Sequence, residues 1–176
     1  MSDLQEELFD VVNESDRVVG QITRGEAHKN PNIIHRSVGI GIFNAHKELF
    51  LQKRSKSKDS EPGKWTISCS GHVIAGQYYL ETAHRELLEE LGIDLKVHPF
   101  EKIVCRYPWE TEMTYFYRSF NNGPFTLNKD EIDEGRFFKP GEIYNQLREK
   151  TLEISLLLRI ILPKFFPAIN WTIVFR

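Results

Sequence analysis

Three glutamates, Glu86, Glu89 and Glu90, follow one another at i, i+3 and i+4 in a stretch bounded by Gly71 and Gly92. On a helix that spacing sets all three carboxylates on one face. Like charges so close repel, and an isolated helix would be destabilised by them. A divalent cation removes that cost, because hard cations such as Mg²⁺ take carboxylate oxygens. Leu80, Ala83, Leu87, Leu88 and Leu91 supply a helical apolar stripe over Tyr79 to Leu91. Gly92 follows the last periodic residue, where a left-handed cap is cheapest for glycine. The pattern predicts a helix with one side in a core and a carboxylate face turned to a cation.

The 176 residues, 40% of them hydrophobic, suffice for one sizeable core, and residues 1–176 read as a single domain. A net charge of −2 argues against nucleic acid as a partner. Cys69 and Cys105 are too few for a disulfide framework and fit a reducing compartment. The N-terminus, Met-Ser-Asp-Leu-Gln-Glu-Glu, lacks the basic and apolar regions of a secretory leader. No apolar run approaches the ~20 residues that span a bilayer. The expectation is a cytoplasmic protein with no membrane partner; a homodimer is allowed by the sequence.

Hairpins are expected from Leu8–Val12 with Val18–Thr23, and from Ser37–Phe43 with Glu48–Arg54. Ser55–Gly63 is polar and ends in Pro62-Gly63, hence a loop. Further strands are expected at Trp65–Ser70, Leu95–Val97, Lys102–Tyr107, Met113–Phe120 and Gly135–Phe138, with His98 in a loop. Helices are expected at Glu142–Glu149 and Thr151–Phe165, and a strand or packed tail at Trp171–Phe175. The sum is a mixed α+β domain with one helix inserted among many strands.

The stretch Gly71–Ile93 resembles the Nudix box, the loop-helix-loop signature of hydrolases that cleave a nucleoside diphosphate linked to another group. Gly71, Arg85, Glu86, Leu87, Glu89, Glu90, Gly92 and Ile93 match its pattern; Gln77 stands where the first glutamate belongs. The resemblance implies the Nudix fold, an α/β/α sandwich around a mixed β-sheet. It also implies a metal-dependent hydrolase using Mg²⁺ or Mn²⁺ on a small-molecule diphosphate. Glu86, Glu89 and Glu90 would hold the metal and serve the reaction, with Arg85 orienting a glutamate by a bidentate ion pair. The neutral Gln77 is expected to alter the metal count, and Gln77→Glu the metal dependence.

A second set has metal-ligand chemistry: His28, His35, His72, Glu110 and Glu112. On a strand, Glu110 and Glu112 would share a face. Imidazoles with carboxylates suit Zn²⁺, Mn²⁺ or Fe²⁺ better than Mg²⁺. The set resembles the metal site of type I isopentenyl-diphosphate isomerase, a branch of the same superfamily with a His-x6-His pair, a Gly-His step and a Glu-x-Glu. That resemblance covers about Asp10 to Glu142. It implies a second divalent metal at the His/Glu site and basic residues Arg24, Arg54 and Lys58 against the substrate diphosphate. Glu112 would be an acid/base. Tyr107 and Trp109, beside Glu110, are the aromatic residues expected to face the substrate. The isomerase has an essential cysteine directly before Gly-His, where this chain has Ser70. Cys69 is one residue early and, on a strand, would point to the other face. A hydroxyl is a far poorer proton donor than a thiol. The isomerase also lets its box decay, whereas Arg85-Glu-Leu-Leu-Glu-Glu-Leu-Gly92 is intact here. The resemblance therefore points to a diphosphate hydrolase on the isomerase-like branch, with isomerase activity as the alternative. A non-catalytic module that binds a diphosphate is the third reading.

Overall fold

The computed structural model describes residues 5–175. Residues 1–4, which begin the stretch read for a leader, lie outside them. Strands β1 (Leu8–Val12) and β2 (Val18–Thr23) form the first hairpin, followed by a one-turn helix, α1 (Arg24–Ala27). Next come β3 (Ile34–Phe43), β4 (Leu49–Arg54), β5 (Trp65–Thr66) and β6 (Cys69–His72). Helix α2 (Tyr79–Leu91) follows, then β7 (His98–Arg106), β8 (Thr111–Phe120) and β9 (Ile132–Phe138). Helices α3 (Pro140–Arg148) and α4 (Leu156–Phe165) precede a 3₁₀ turn at Trp171–Ile173.

The strands join in one mixed sheet. The β3–β8 pair is parallel and the other pairs are antiparallel. Strand β3 is its hub: along its length it meets β1, β6 and β4 on one side and β8 on the other. Alternation along the strands then sorts side chains into two cores. Val38, Ile40, Ile42 and Cys69 join Ala83, Leu87 and Leu91 of α2 on one face. Leu49, Leu51, Ile67 and Phe116 join Ile143 of α3 and Leu158, Ile161 and Leu162 of α4 on the other. The expected α/β/α layering is thus present.

Helix α2 has the expected limits. Gly92 adopts φ 65°, and its N–H and that of Ile93 reach back to Leu88 and Leu87 carbonyls. The predicted apolar stripe needs correction, because Leu80 and Leu88 are 50% and 54% exposed. The buried arc is Thr82, Ala83, Glu86, Leu87, Glu90 and Leu91. Burying two glutamates beside Ala83, Leu87 and Leu91 rotates the helix so that Leu80 and Leu88 leave the sheet.

Other boundaries also move. Leu95–Val97 is not a strand, and His98 begins β7 rather than lying in a loop. The Trp65–Ser70 strand splits into β5 and β6. Thr151–Ser155 is extended: Ile154 bridges Trp65, and Ser155 caps α4 by accepting from the Leu158 N–H. Of the two readings of Trp171–Phe175 the packed tail holds and the strand does not: Trp171–Ile173 is a 3₁₀ turn, with Trp171 buried in the core beside α3 and α4.

A buried-edge ion cluster pins the first hairpin. Asp16, at φ 58° in its turn, accepts from Arg36 Nε at 2.7 Å, Tyr79 Oη at 3.0 Å and Lys102 Nζ at 2.5 Å. It thereby ties the hairpin to β3, α2 and β7. Burial works to raise the Asp16 carboxyl pKa, but the bonds from Lys102, Arg36 and Tyr79 outweigh it and hold it below the usual aspartate value. Asparagine tolerates the left-handed backbone, so Asp16→Asn removes the charge and turns one of the two acceptor oxygens into a donor without straining the turn. The expected loss is about 1–2 kcal/mol, the scale of a hydrogen bond to a charged group. A carboxyl with a depressed folded pKa stabilises above its unfolded value and ceases to as it protonates in the folded state. The gap between wild type and Asp16→Asn in urea unfolding should therefore be full at pH 7 and shrink below about pH 4.

Candidate active site

The two sequence constellations open into one cavity of about 540 Å³. Glu86, Glu89 and Glu90 line it together with His72, Glu110 and Glu112, and so do Arg24, Arg54, Lys58, Arg85, Tyr107 and Trp109. His28 and His35 lie behind this lining. The juxtaposition comes from β3. Ser37 lies opposite His72 across the antiparallel β3–β6 pair and opposite Thr114 across the parallel β3–β8 pair. Residues two apart share a face, so His35, Ser37, Ser70, His72, Glu112 and Thr114 lie on one side of these strands.

On the helix side, Glu86 and Glu90 are buried while Glu89 is largely exposed. Burial pushes both buried carboxyls above the ordinary glutamate range; the Glu90 charge raises Glu86 further, and the Glu131 charge raises Glu90. Two buried carboxylates on successive turns, in the wall of a cavity, are an arrangement that a cation would relieve. Arg85 is no two-pronged partner of one glutamate. Its Nη1 contacts Glu86 at 2.8 Å and Glu89 at 3.1 Å, while Nη2 donates to the His72 carbonyl at 3.0 Å. It therefore ties the acidic helix face to β6. Gly71 makes the fit possible: a β-carbon there would lie 2.1 Å from the Glu86 carboxyl.

Gln77 is not among the residues lining the cavity, and its Oε1 is buried without a hydrogen-bond partner. That location gives it no part in the acidic face, so the idea that it sets the metal count loses its geometric basis.

On the sheet side, one ligand atom from each of His28, His35, His72 and Glu110 lies within 4.8 Å of all the others. Glu110 Oε2 stands 3.1 Å from His28 Nε2, 3.4 Å from His35 Nε2 and 3.7 Å from His72 Nε2. His28 Nε2, His35 Nε2 and Glu110 Oε2 are buried with no hydrogen bond of good geometry. Leaving such groups unsatisfied is costly, and a metal ion satisfies them together. Burial pulls the His28 pKa down to about 4, which leaves a neutral imidazole suited to coordination. Glu112 completes the wall. Its Oε1 meets His72 Nε2 at 3.0 Å, and its Oε2 accepts from Ser37 Oγ at 3.0 Å.

His72 is contested. Burial opposes its charge, but bonds to Glu110 and Glu112 raise its pKa to about 9. Yet Arg24 Nη1 lies 2.9 Å from His72 Nδ1, and a guanidinium only donates. A doubly protonated ring would turn an N–H on that guanidinium, so this contact requires the neutral ring with its proton on Nε2, facing Glu112. Of the other basic residues, Arg54 donates to the Ser60 carbonyl at 3.0 Å and Lys58 pairs with Glu131 at 2.7 Å.

A protein-family model described as NUDIX domain matches residues 33–158. The chain belongs to the Nudix family. An uncharacterised Nudix hydrolase of Pseudomonas aeruginosa is 35% identical over 76% of this Nudix chain and 79% of its own length. The isopentenyl-diphosphate Delta-isomerase of Pectobacterium atrosepticum is 28% identical over 78% of this chain and 79% of its own, in keeping with the isomerase-like branch. Nudix hydrolase 3 of Arabidopsis thaliana is 46% identical over 57% of this chain, which spans only 13% of that protein. Among solved structures, Deinococcus radiodurans DR0079 superposes with a TM-score of 0.75 at 25% identity, over 88% of this chain and 97% of that one. Divalent metals are general to the Nudix family. No helix among the described residues is long and apolar enough to cross a membrane.

Several residues of the Nudix site escaped the sequence reading. Gln52 Nε2 donates to Glu90 Oε2 at 2.8 Å, and Ser37 and Thr114 hold Glu112. Gln52 had a signal, since it lies two residues from Arg54 on a strand and so shares its face. Ser37 and Thr114 had none, because their roles follow from the pairing of β3 with β8.

Cys69 and Ser70 part as strand alternation predicts. Cys69 is buried on the α2 side, bonded to Glu90, while Ser70 lines the cavity.

Proposed function

We propose that the chain is a Nudix hydrolase that cleaves a diphosphate linkage in a nucleoside diphosphate derivative or related organic diphosphate by attack of water. The observation that carries this reading is the intact Glu86-Glu89-Glu90 face opening into the same cavity as Arg24, Arg54 and Lys58. Acidic groups to hold a metal and basic groups to hold phosphates thus share one space. A bound Mg²⁺ or Mn²⁺ supplies neutralisation of phosphoryl charge and acidity to water. Glu86, Glu89 and Glu90 would hold it, while Arg85 fixes Glu86 and Glu89 against β6. Arg24, Arg54 and Lys58 would bind the diphosphate oxygens, and Tyr107 and Trp109 would wall the adjoining group. Glu112, gripped through Oε2 by Ser37, is the carboxylate positioned to exchange protons in the cavity. His28, His35, His72 and Glu110 would hold a second divalent metal, for which their nitrogen-rich donor set is suited. Ligation by His72 through Nε2 requires its proton on Nδ1, which would turn Arg24 away from His72 toward the anion.

The histidine cluster also favours a second reading, isopentenyl-diphosphate isomerase. Against it stands Ser70, a weak proton donor at the cavity wall, with the Cys69 thiol on the opposite face of the strand. A panel of nucleotide sugars, dinucleotides and prenyl diphosphates, assayed with Mg²⁺ and with Mn²⁺, tests the choice. Release of phosphate or a nucleoside monophosphate is expected. Conversion of isopentenyl diphosphate without phosphate release would sink the hydrolase reading, and tight binding without turnover would favour a diphosphate-binding module.

A further inference from the structure

The segment between β7 and β8 is a tight turn. The Tyr107 N–H donates to the Glu110 carbonyl at 2.9 Å, and Trp109 occupies the corner just before Glu110. Adjacent side chains on a strand diverge, but in this turn they converge, and the Trp109 indole Nε1 donates to Glu110 Oε1 at 2.7 Å. The indole itself is fixed by stacking on the Tyr107 ring, with centroids 5.8 Å apart and planes 13° off parallel. Glu110 is therefore divided between two tasks. Oε1 is occupied by the indole, while Oε2 is turned to Nε2 of His28, His35 and His72.

We propose that Trp109 is a positioning residue whose indole N–H fixes Glu110 as a one-oxygen ligand of the His28–His35–His72 cluster. This rests on the reading of that cluster as a metal site. An indole N–H only donates, so it holds Oε1 as an acceptor and leaves Oε2 alone to coordinate. Three imidazoles and one carboxylate oxygen make a compact four-donor set, which suits Zn²⁺. A carboxylate able to turn would offer both oxygens and a larger donor number, which shifts the preference toward Mn²⁺. The substrate-facing role expected for Trp109 is thereby changed: its polar edge serves Glu110.

The test is metal binding, with no substrate present. Zn²⁺, Mn²⁺ and Co²⁺ are titrated against a chromophoric chelator into wild type, Trp109→Phe and Glu110→Gln. The Co²⁺ absorption spectrum reports coordination number. Trp109→Phe keeps the ring stack and removes the donor. Its Zn²⁺ affinity is expected to fall about 10–100-fold, the usual effect of losing a partner that orients a ligand. Its Co²⁺ bands should weaken toward those of a five-coordinate ion. Zn²⁺ affinity within twofold of wild type and an unchanged Co²⁺ spectrum would overturn the role of Trp109 alone. Equal four-coordinate Co²⁺ bands in wild type and Glu110→Gln, or none in wild type, would overturn the metal reading and this inference with it. Should Trp109→Phe fail to fold, Trp109→Gln keeps an N–H donor without the ring. Its Zn²⁺ affinity must then exceed that of Trp109→Ala; equal values overturn the proposal.

Discussion

Glu90→Gln is expected to lower kcat by about 10³-fold while leaving the fold intact. On the proposed hydrolase reading Glu90 is a charged metal ligand, and its loss removes several kcal/mol of transition-state charge stabilisation. At tenfold per 1.36 kcal/mol, about 4 kcal/mol gives that factor. The stability effect runs the other way. Glu90 is buried and held above the ordinary carboxylate range, so its charge is a cost to the metal-free fold. The glutamine is isosteric and its amide oxygen keeps the bond from Gln52, now 2.8 Å from Glu90 Oε2. The melting temperature in chelator should therefore be unchanged or higher. Steady-state kinetics and thermal unfolding of the same preparation check both halves. A variant with near wild-type kcat would remove Glu90 from the chemistry, whereas an unfolded one would make it a structural residue.

The legible part of the molecule was the part whose determinants are local. Gly92 and the spacing of Ala83, Leu87 and Leu91 marked the limits of α2, because caps and helical periodicity act over a few residues. Both constellations could be named from spacing and family resemblance, since their members are close in sequence within each motif. What no spacing reveals is that they share a cavity. That depends on β3 pairing with β8 in parallel, which sets His35 opposite Glu112. The Ser37–Thr114 bond spans 77 positions. Parallel pairing joins strands distant in sequence, and neither strand names its partner. The misread start of α4 has the same origin. Leu152 and Ile154 lead into the apolar run of α4, but the Trp65 N–H donates to the Glu153 carbonyl and the Ser155 N–H donates to the Trp65 carbonyl, holding the segment extended.

Gly71→Ala should cost far more activity than stability. The added β-carbon would meet the Glu86 carboxyl at 2.1 Å, well inside contact distance. The backbone at Gly71 does not have positive φ, so alanine's difficulty there is one of space and not of conformation. What it displaces is the far end of a side chain that can rotate, which limits the stability loss to about 1 kcal/mol, the low end for overpacking. The same displacement is severe for function. Glu86 would leave the 2.8 Å contact with Arg85 Nη1, and Arg85 in turn orders Glu89 and the His72 carbonyl. Misplacing a reacting or ligating group by about 1 Å costs on the order of 10²-fold in rate. The expected result is thus a folded protein with kcat/KM down about 10²-fold and weaker Mg²⁺ activation. Zn²⁺ uptake at the histidine cluster should stay near wild type, because Gly71 faces the α2 side of β6 and His72 the other side. Equal loss at both sites would mean that Gly71 supports β6 as a whole and not the place of Glu86.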